Sequence, residues 1–183
     1  MKKSIIKAAT VLLLAANLFS SCSKDSSDSF AGTYTFKTSG TVTLMATALV
    51  GLDDATLAAY KAAGVDVDPV TLGLYPEQGQ LNVLKDDDGS FVLTFNNILG
   101  NAEITSATLQ DGTLTLCGTD TKAAQVTDGI DKIGAGIVAF SGTGRMLEDV
   151  LMLQMQYQGA FSVKDVPMTV VSSDVKCVAK KNQ

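Results

Sequence analysis

The run Asp149-Val150-Leu151-Met152-Leu153-Gln154-Met155-Gln156-Tyr157-Gln158-Gly159-Ala160-Phe161 sorts into two rows at a period of two. Leu151, Leu153, Met155, Tyr157, Gly159 and Phe161 fall on one face, and Met152, Gln154, Gln156 and Gln158 on the other. Side chains alternate across a strand, so the run reads as a strand with one buried and one wet face. Parallel sheets bury both faces and read as unbroken apolar runs. This alternation therefore indicates an antiparallel sheet closed over a single core.

The same period recurs outward from this run. Residues 136–145 precede it and 168–178 follow as a last strand. Gly32-Thr33-Tyr34-Thr35-Phe36-Lys37 sets Tyr34 and Phe36 against Thr33, Thr35 and Lys37, and 41–50 is a second Thr/Val/Leu-rich run. Residues 80–85 lead through Asp86-Asp87-Asp88-Gly89 into 90–95, with Phe91, Leu93 and Phe95 on one face. Residues 103–109 lead through Gln110-Asp111-Gly112 into 113–117. Asp-Gly between alternating runs marks a tight hairpin, whose two turn residues both take φ > 0. About eight to ten strands with short turns give an all-β fold with one short helix, either an antiparallel β-barrel or a closed β-sandwich.

The helix is expected at 53–64. Asp53 or Asp54 caps its start, alanines fill its body, and Gly64 stops it in the left-handed conformation. So short a helix does not persist alone in water, and Leu57 and Tyr60 are spaced to pack onto the sheet. Thr127-Asp128-Gly129 could start a second helical turn within 125–133, against which Gly129, Gly134 and Gly136 weigh.

Composition removes whole classes of chemistry. The 183 residues contain no His and no Trp, and their 14 Lys+Arg against 19 Asp+Glu leave a formal charge of −5. Without His, Ser-His-Asp and Cys-His catalysis and most zinc chemistry are absent. The acidic balance excludes nucleic acid as an expected partner. Length allows one domain.

The first residues read as an address. Met1-Lys2-Lys3 with Lys7 forms a positive start, Ile5, Ile6 and 8–19 an apolar stretch, and the first acidic residue is Asp25. This is the layout of a secretory signal, too short and wrongly flanked for a membrane span. Leu18-Phe19-Ser20-Ser21-Cys22-Ser23 resembles the lipobox of bacterial lipoproteins, with Phe19 where enterobacteria usually place Leu. That resemblance implies cleavage before Cys22, acylation of Cys22, and anchoring by its acyl chains. The competing reading is ordinary cleavage near Ser21 with a free thiol.

Ser23-Lys24-Asp25-Ser26-Ser27-Asp28-Ser29 has nothing to anchor a core and reads as a flexible tether. The division is thus 1–21 signal, 22–30 lipidated Cys and tether, 31–183 β-barrel domain. Lys24-Asp25 is similar to the Lys-acidic signal that sends Bacteroidetes lipoproteins across the outer membrane, with Ser26 where a second acidic residue is usual. It implies an outer-membrane lipoprotein, favouring the cell surface over the periplasmic face. Loss of Lys2, Lys3 and Lys7 leaves 11 basic and 19 acidic residues, a formal −8. Such a body is repelled by anionic surfaces, so membrane contact is expected through the lipid anchor only.

Gly32-Thr33-Tyr34, the turns Asp88-Gly89-Ser90 and Asp111-Gly112-Thr113, and the long late strand together resemble the calycin-like β-barrel lipoproteins of Bacteroidetes. The resemblance covers most of the chain after the signal, apart from the 53–64 helix. It implies a lipocalin-like barrel with no assigned activity.

Candidate chemistry is weighed residue by residue. Asp86-Asp87-Asp88 could offer oxygens to calcium, but the spacing is that of a solvated turn. Asp66 and Asp68 alternate suitably, yet Pro69 follows and no third ligand is near. Cys117 and Cys177 could join in a disulfide or lie apart as small core residues; no strand pairing read here brings them together. Ser141-Gly142-Thr143-Gly144-Arg145 lacks the helix start of a phosphate cradle and reads as a strand or bulge. Asn96, Asn97, Gln154, Gln156 and Gln158 could bond a sugar, but read more simply as surface. Tyr34, Phe36 and Tyr157 are the expected aromatic walls of any ligand site, and ordinary core packing competes.

Two functions remain. One is a non-catalytic binding barrel for a small apolar or amphipathic ligand. The other is a structural or accessory interaction protein of a surface assembly, with a protein partner and no small-molecule ligand. No catalytic residue, metal ligand or cofactor is expected.

Overall fold

A computed structural model describes residues 27–98, 102–117 and 121–183. Cys22, the signal and most of the tether lie outside the described residues. In chain order there follow α1 (Ser27–Phe30), β1 (Gly32–Ala46), a 3-10 turn (Thr47–Leu49), α2 (Asp54–Ala62), β2 (Val70–Leu74), β3 (Glu77–Lys85), β4 (Phe91–Asn97), β5 (Ala102–Gln110), β6 (Thr113–Leu116), β7 (Thr121–Thr127), β8 (Lys132–Leu147), β9 (Val150–Val163) and β10 (Val166–Lys181).

The strands form one antiparallel sheet closed into a ring. Around one half of the molecule the ring runs β1-β3-β4-β5-β6-β8-β9-β10 and back to β1. The long strands β1 and β8 then change partners along their length. Gly32–Thr38 of β1 pairs with β3, whereas Thr41–Leu44 pairs with β2. Gly142–Gly144 of β8 pairs with β6, whereas its earlier part pairs with β7. Since β2 also pairs with β7, the second half closes through six strands, β1-β2-β7-β8-β9-β10. The molecule is thus a barrel that narrows from eight strands to six, with a fork in its wall where the two routes part.

The alternation that marked the late strand is the burial pattern of β9 as far as Tyr157; it breaks at Gly159, expected on the inner row but exposed at φ 141°, and resumes at Phe161. Leu151, Leu153, Met155, Tyr157 and Phe161 are buried, and Met152, Gln154, Gln156 and Gln158 are exposed. The buried rows of the other strands meet them in one core that includes Tyr34, Phe36, Leu81, Leu93, Phe95 and Leu114. Each such side chain contributes roughly 1.5–3 kcal/mol by leaving water. Phe36 and Phe95 meet edge to face at 5.4 Å, the arrangement that ring quadrupoles favour. Phe30, placed in the tether on sequence grounds, is buried against Phe91 with ring centroids 6.2 Å apart. The Tyr34 hydroxyl donates to the Phe30 carbonyl (2.7 Å), and Lys181 Nζ donates to that of Ser29 (2.9 Å). The core therefore begins at Phe30, which caps the eight-stranded end.

The turns explain where the sequence reading succeeded and where it slipped. Asp111 and Gly112 both take positive φ (50° and 71°), as the two-residue hairpin requires. At Asp88-Gly89 only Gly89 does (84°), in a wider turn held by Asp86 N–H to Ser90 O (2.8 Å). The runs at 32–37 and 41–50 are one strand up to Ala46, not two. The helical turn considered within 125–133 is absent: β7 ends at Thr127 and β8 begins at Lys132. Asp128 accepts from Asp131 N–H (3.2 Å) and so caps a turn between strands rather than a helix.

The expected helix is present as α2, with Asp53 accepting from Thr56 N–H (2.8 Å) and Gly64 at φ 83°. Its expected packing is not. No α2 residue is buried, and Tyr60 is 43% exposed. Leu49 before it and Val67 just beyond it are the buried residues of this excursion. Lys61, paired with Asp68 at 2.8 Å, ties the helix to the returning chain.

Candidate site at the fork in the barrel wall

Four chain segments reach the level where the wall divides. Leu74 ends β2 and Glu77 begins β3, so Tyr75 and Pro76 bridge the two routes. Asn97 ends β4, and Ile98 N–H donates to Gln78 O (3.1 Å). β7 enters with Lys122, and Tyr75 N–H donates to Gln125 O (2.9 Å). Where two routes diverge, the ladder between them is interrupted and the wall is thinner. A pocket of about 290 Å³ lies there, lined among others by Leu74, Tyr75, Pro76, Glu77, Asn97 and Ile98. Thr38, Ala123, Ala124, Lys132 and Tyr157 complete much of its surface.

Behind this pocket the barrel encloses a charged cluster. Lys122 Nζ binds Glu77 Oε2 and also Glu103 Oε2 (3.1 Å). The side chains of Lys122 and Glu103 are 5% and 8% exposed, and that of Glu77, which faces the pocket, is 19% exposed. Asn97 Nδ2 donates to Glu77 Oε1 (3.2 Å). The Lys122 ammonium also lies 6.0 Å from the Phe140 ring centroid and 5.9 Å from that of Tyr157, within reach of a cation–π attraction. Buried charges are tolerated when paired and hydrogen-bonded, and the described part of the cluster leaves no buried side-chain polar atom without a partner.

The cluster tunes its members in opposite senses. Burial works against the charged form of Lys122, but Tyr157, Glu77 and Glu103 outweigh it, so the ammonium is held above its ordinary value. Burial pushes Glu103 up, and Glu77 adds to this while Lys122 opposes it. Burial pushes Tyr157 up to about 12. It does the same for Cys177, up to about 12, against a hydrogen bond from Thr38 that lowers it.

Glu77, Glu103 and Lys122 were not singled out in the sequence. Each sits at the start of a strand, and each has the inward parity of its strand. Lys122 shares a face with Ala124 and Val126, and Glu103 with Thr105 and Ala107. Parity carries a signal for Lys122, once β7 is seen as a strand. For Glu103 it misleads, since Ile104, one place along, is 55% exposed.

The expected candidates are placed elsewhere. Asp86, Asp87 and Asp88 lie exposed in their turn, where Ser90 hydrogen bonds hold Asp88 below the usual carboxylate range. Asp66 and Asp68 are exposed, with Asp68 on Lys61. Cys117 is exposed and Cys177 buried, both as free thiols. Cys177, on β10, pairs in register with Thr38 and Leu153, whereas Cys117 lies just past the end of β6 and not on a strand as expected, and β6 does not neighbour β10. Gly142 and Gly144 lie within β8, opposite Met155 and Leu153. Gln154 donates to Asp174 on the outer surface (2.8 Å). Tyr34 and Phe36 are core residues; of the three aromatic candidates, Tyr157 lines the fork pocket. Asn97 reaches the site, whereas Asn96 lines an open outer groove with Thr35, Lys37, Gln80 and Lys180. That groove has no buried polar side chain on its lining. Among the described residues no cluster of potential metal ligands occurs.

No family model matches the sequence, and no curated protein matches it. Among solved structures, a protein of unknown function from the DUF3598 family of Nostoc punctiforme shares 8% identity, with a TM-score of 0.34. The match covers 85% of this chain and 49% of that one, so this chain spans about half of that protein's length.

Proposed function

We propose that this protein is a cell-envelope lipoprotein whose barrel binds a small amphipathic ligand at the fork without transforming it. The observation that carries the reading is the fork pocket itself, where apolar Leu74, Tyr75, Pro76 and Ile98 converge on the polar floor of Glu77, Asn97, Thr38 and Tyr157. Small-molecule sites combine mostly apolar walls with a few polar groups that fix orientation, and 290 Å³ lies at their small end. The eight-stranded ring, in which most strands neighbour the next in sequence, supports kinship with calycin-like barrel lipoproteins. Anchoring is assigned to acylated Cys22 in the outer membrane, with the cell surface favoured over the periplasmic face.

Absence of catalysis belongs to the same reading. A general acid and a general base must each come within hydrogen-bond reach of the proton they transfer on a bound substrate. Of the two buried carboxylates, Glu77 lines the pocket and Glu103 stands behind Lys122. The Cys177 thiol is held neutral by burial and is no nucleophile. Native mass spectrometry of the protein purified from its own host in mild detergent should show a bound small molecule. Bare protein, together with no thermal shift from any small amphiphile, would overturn the binding reading. Cys22→Ala should release the protein from washed membranes, and continued sedimentation would refute lipidation.

The accessory-protein reading draws on a different observation. Val50, Tyr60, Val65 and Val70 are each about 40% exposed along the excursion that carries α2. Cross-linking on intact cells that captured a partner through this excursion, with an empty pocket, would favour it.

A further inference from the structure

The fork encloses an unbalanced charge. Glu77 and Glu103 share one counter-ion, Lys122, and all three lie largely out of water. Lys122 divides its contacts between both carboxylates, so the three-residue cluster carries a formal surplus of one negative charge, and Glu77 presents it to a pocket whose other charged lining residue is Lys132. A third carboxylate brought into that space would meet two others across a single ammonium. A cation entering it would complete two pairs of opposite charge.

A second feature, at the mouth, points the same way. Lys132 Nζ lies 4.1 Å from the Tyr75 ring centroid, and both residues line the pocket. The mouth therefore already seats an alkylammonium on an aromatic face. Lys132 is exposed and its charge rides on a flexible stem, so a ligand ammonium can displace it from Tyr75 on its way to Glu77. The walls between, Leu74, Pro76 and Ile98, offer nothing to a second charge.

Building on the binding function proposed above, we infer that the fork pocket selects small organic ammonium ligands: a primary amine seated on Glu77, with a short apolar body against Leu74, Pro76 and Ile98. Thr38 lies beside Glu77 on the pocket surface, opposite it in register, and its hydroxyl oxygen is placed to take a remaining ammonium hydrogen. The groups that set the field are Glu77 from β3, Glu103 from β5, Lys122 from β7, Tyr157 from β9, and Lys132 from β8 at the mouth.

The test uses three probes with one body and three heads: hexylamine, 1-hexanol and hexanoate, titrated calorimetrically into the purified protein at neutral pH. Hexylamine should bind at least roughly tenfold more tightly than hexanol, the size of one charge-assisted hydrogen bond, and hexanoate should not bind. Ile98→Trp, a change at an exposed position on the pocket wall, should abolish both bindings. Glu77→Gln should bring hexylamine down to the level of hexanol, with folding checked by its β-sheet circular dichroism. If hexylamine and hexanol bind equally and Ile98→Trp removes both, the charge assignment fails while the pocket stands. Preference for hexanoate would also overturn the inference alone. Binding of none of the three would sink both it and the pocket. An amine preference that survives in a folded Glu77→Gln protein would refute Glu77 as the anchor.

Discussion

The two halves of the barrel share β1, β8, β9 and β10 but close through different numbers of strands, and their interiors differ accordingly. Barrel width grows with strand number. The eight-stranded half holds Tyr34, Phe36, Phe91 and Phe95 with Leu81, Leu93, Leu114 and Leu153. The six-stranded half is filled mainly by smaller residues such as Val42, Val126, Val138 and Val163, and Phe161 stands opposite Gly136. Polar groups gather at neither end. They collect at the step between the halves, where strands begin and the ladder is interrupted. The wide half is held by apolar burial, and the step is held by charge pairing. Perturbations should therefore separate the two by both size and pH dependence.

The largest effect is expected at the step. Lys122→Met leaves Glu77 and Glu103 buried without their counter-ion, and should cost about 3–5 kcal/mol in urea unfolding at pH 7. The loss should shrink on acidification. In the parent, Glu103 is already raised in the folded state by burial. A raised folded value gives a contribution that is full below the ordinary carboxylate value and lost as pH rises through the folded one. Without Lys122 the attraction that opposes this rise is gone and Glu103 rises further, so its protonation on acidification restores part of the stability. A deficit that stays constant between pH 7 and pH 5 would show that the cluster is not what Lys122 holds together.

The wide half supplies the contrast. Leu153 is 2% exposed, and Leu153→Ala should cost ~2–5 kcal/mol through lost burial and a cavity. Its neighbours in register, Cys177 and Gly144, carry no charge at neutral pH, so this cost should be flat across the same pH interval. A pH-dependent cost here would mean that the two regions are electrostatically one.

These two variants also mark what the sequence made legible. Leu153 lies in the stretch of β9 whose alternation runs unbroken, so its burial followed from a period of two. Lys122 lies on β7, Thr121-Lys122-Ala123-Ala124-Gln125-Val126-Thr127, where small and polar residues blur the alternation. β2 is only five residues long, too short for a period to declare itself. The fork is made by these two unread strands, so the site was illegible with them. Glu77, Glu103 and Lys122 come from three distant strands, and ring closure alone brings them together. The last hairpin was hidden for a local reason. Lys164 and Asp165 take φ of 49° and 67° without a glycine, so the turn residues gave no signal.

A smaller effect tests the narrow half. A Cβ on Gly136 would stand 2.1 Å from the Ala160 carbonyl oxygen, a backbone atom that cannot swing aside. Gly136→Ala should therefore cost ~1–3 kcal/mol, as overpacking does, and should leave the wide half's response to Leu153→Ala unchanged. Strong non-additivity in the double variant would show that the strain travels along β8 and that the halves do not fold as separately packed layers.

The smallest effect belongs to the part of the chain outside both halves. Asp53 caps α2 by accepting from Thr56 N–H and from its hydroxyl (2.8 and 3.0 Å). Losing such a cap ordinarily costs about 0.5–2 kcal/mol of helix stability. That cost reaches the global fold only if the helix is coupled to the core, and α2 buries no residue. Asp53→Ala should consequently fray α2, seen as faster amide exchange over residues 54–62, while the unfolding midpoint of the barrel corresponds to a change under about 0.5 kcal/mol. The excursion returns to the core through Val67 and through the pairing of β2 with β1, beyond the helix. A loss near the full capping cost in global unfolding would place α2 among the elements that hold the barrel closed. The six-stranded half would then depend on its excursion rather than on its own packed interior.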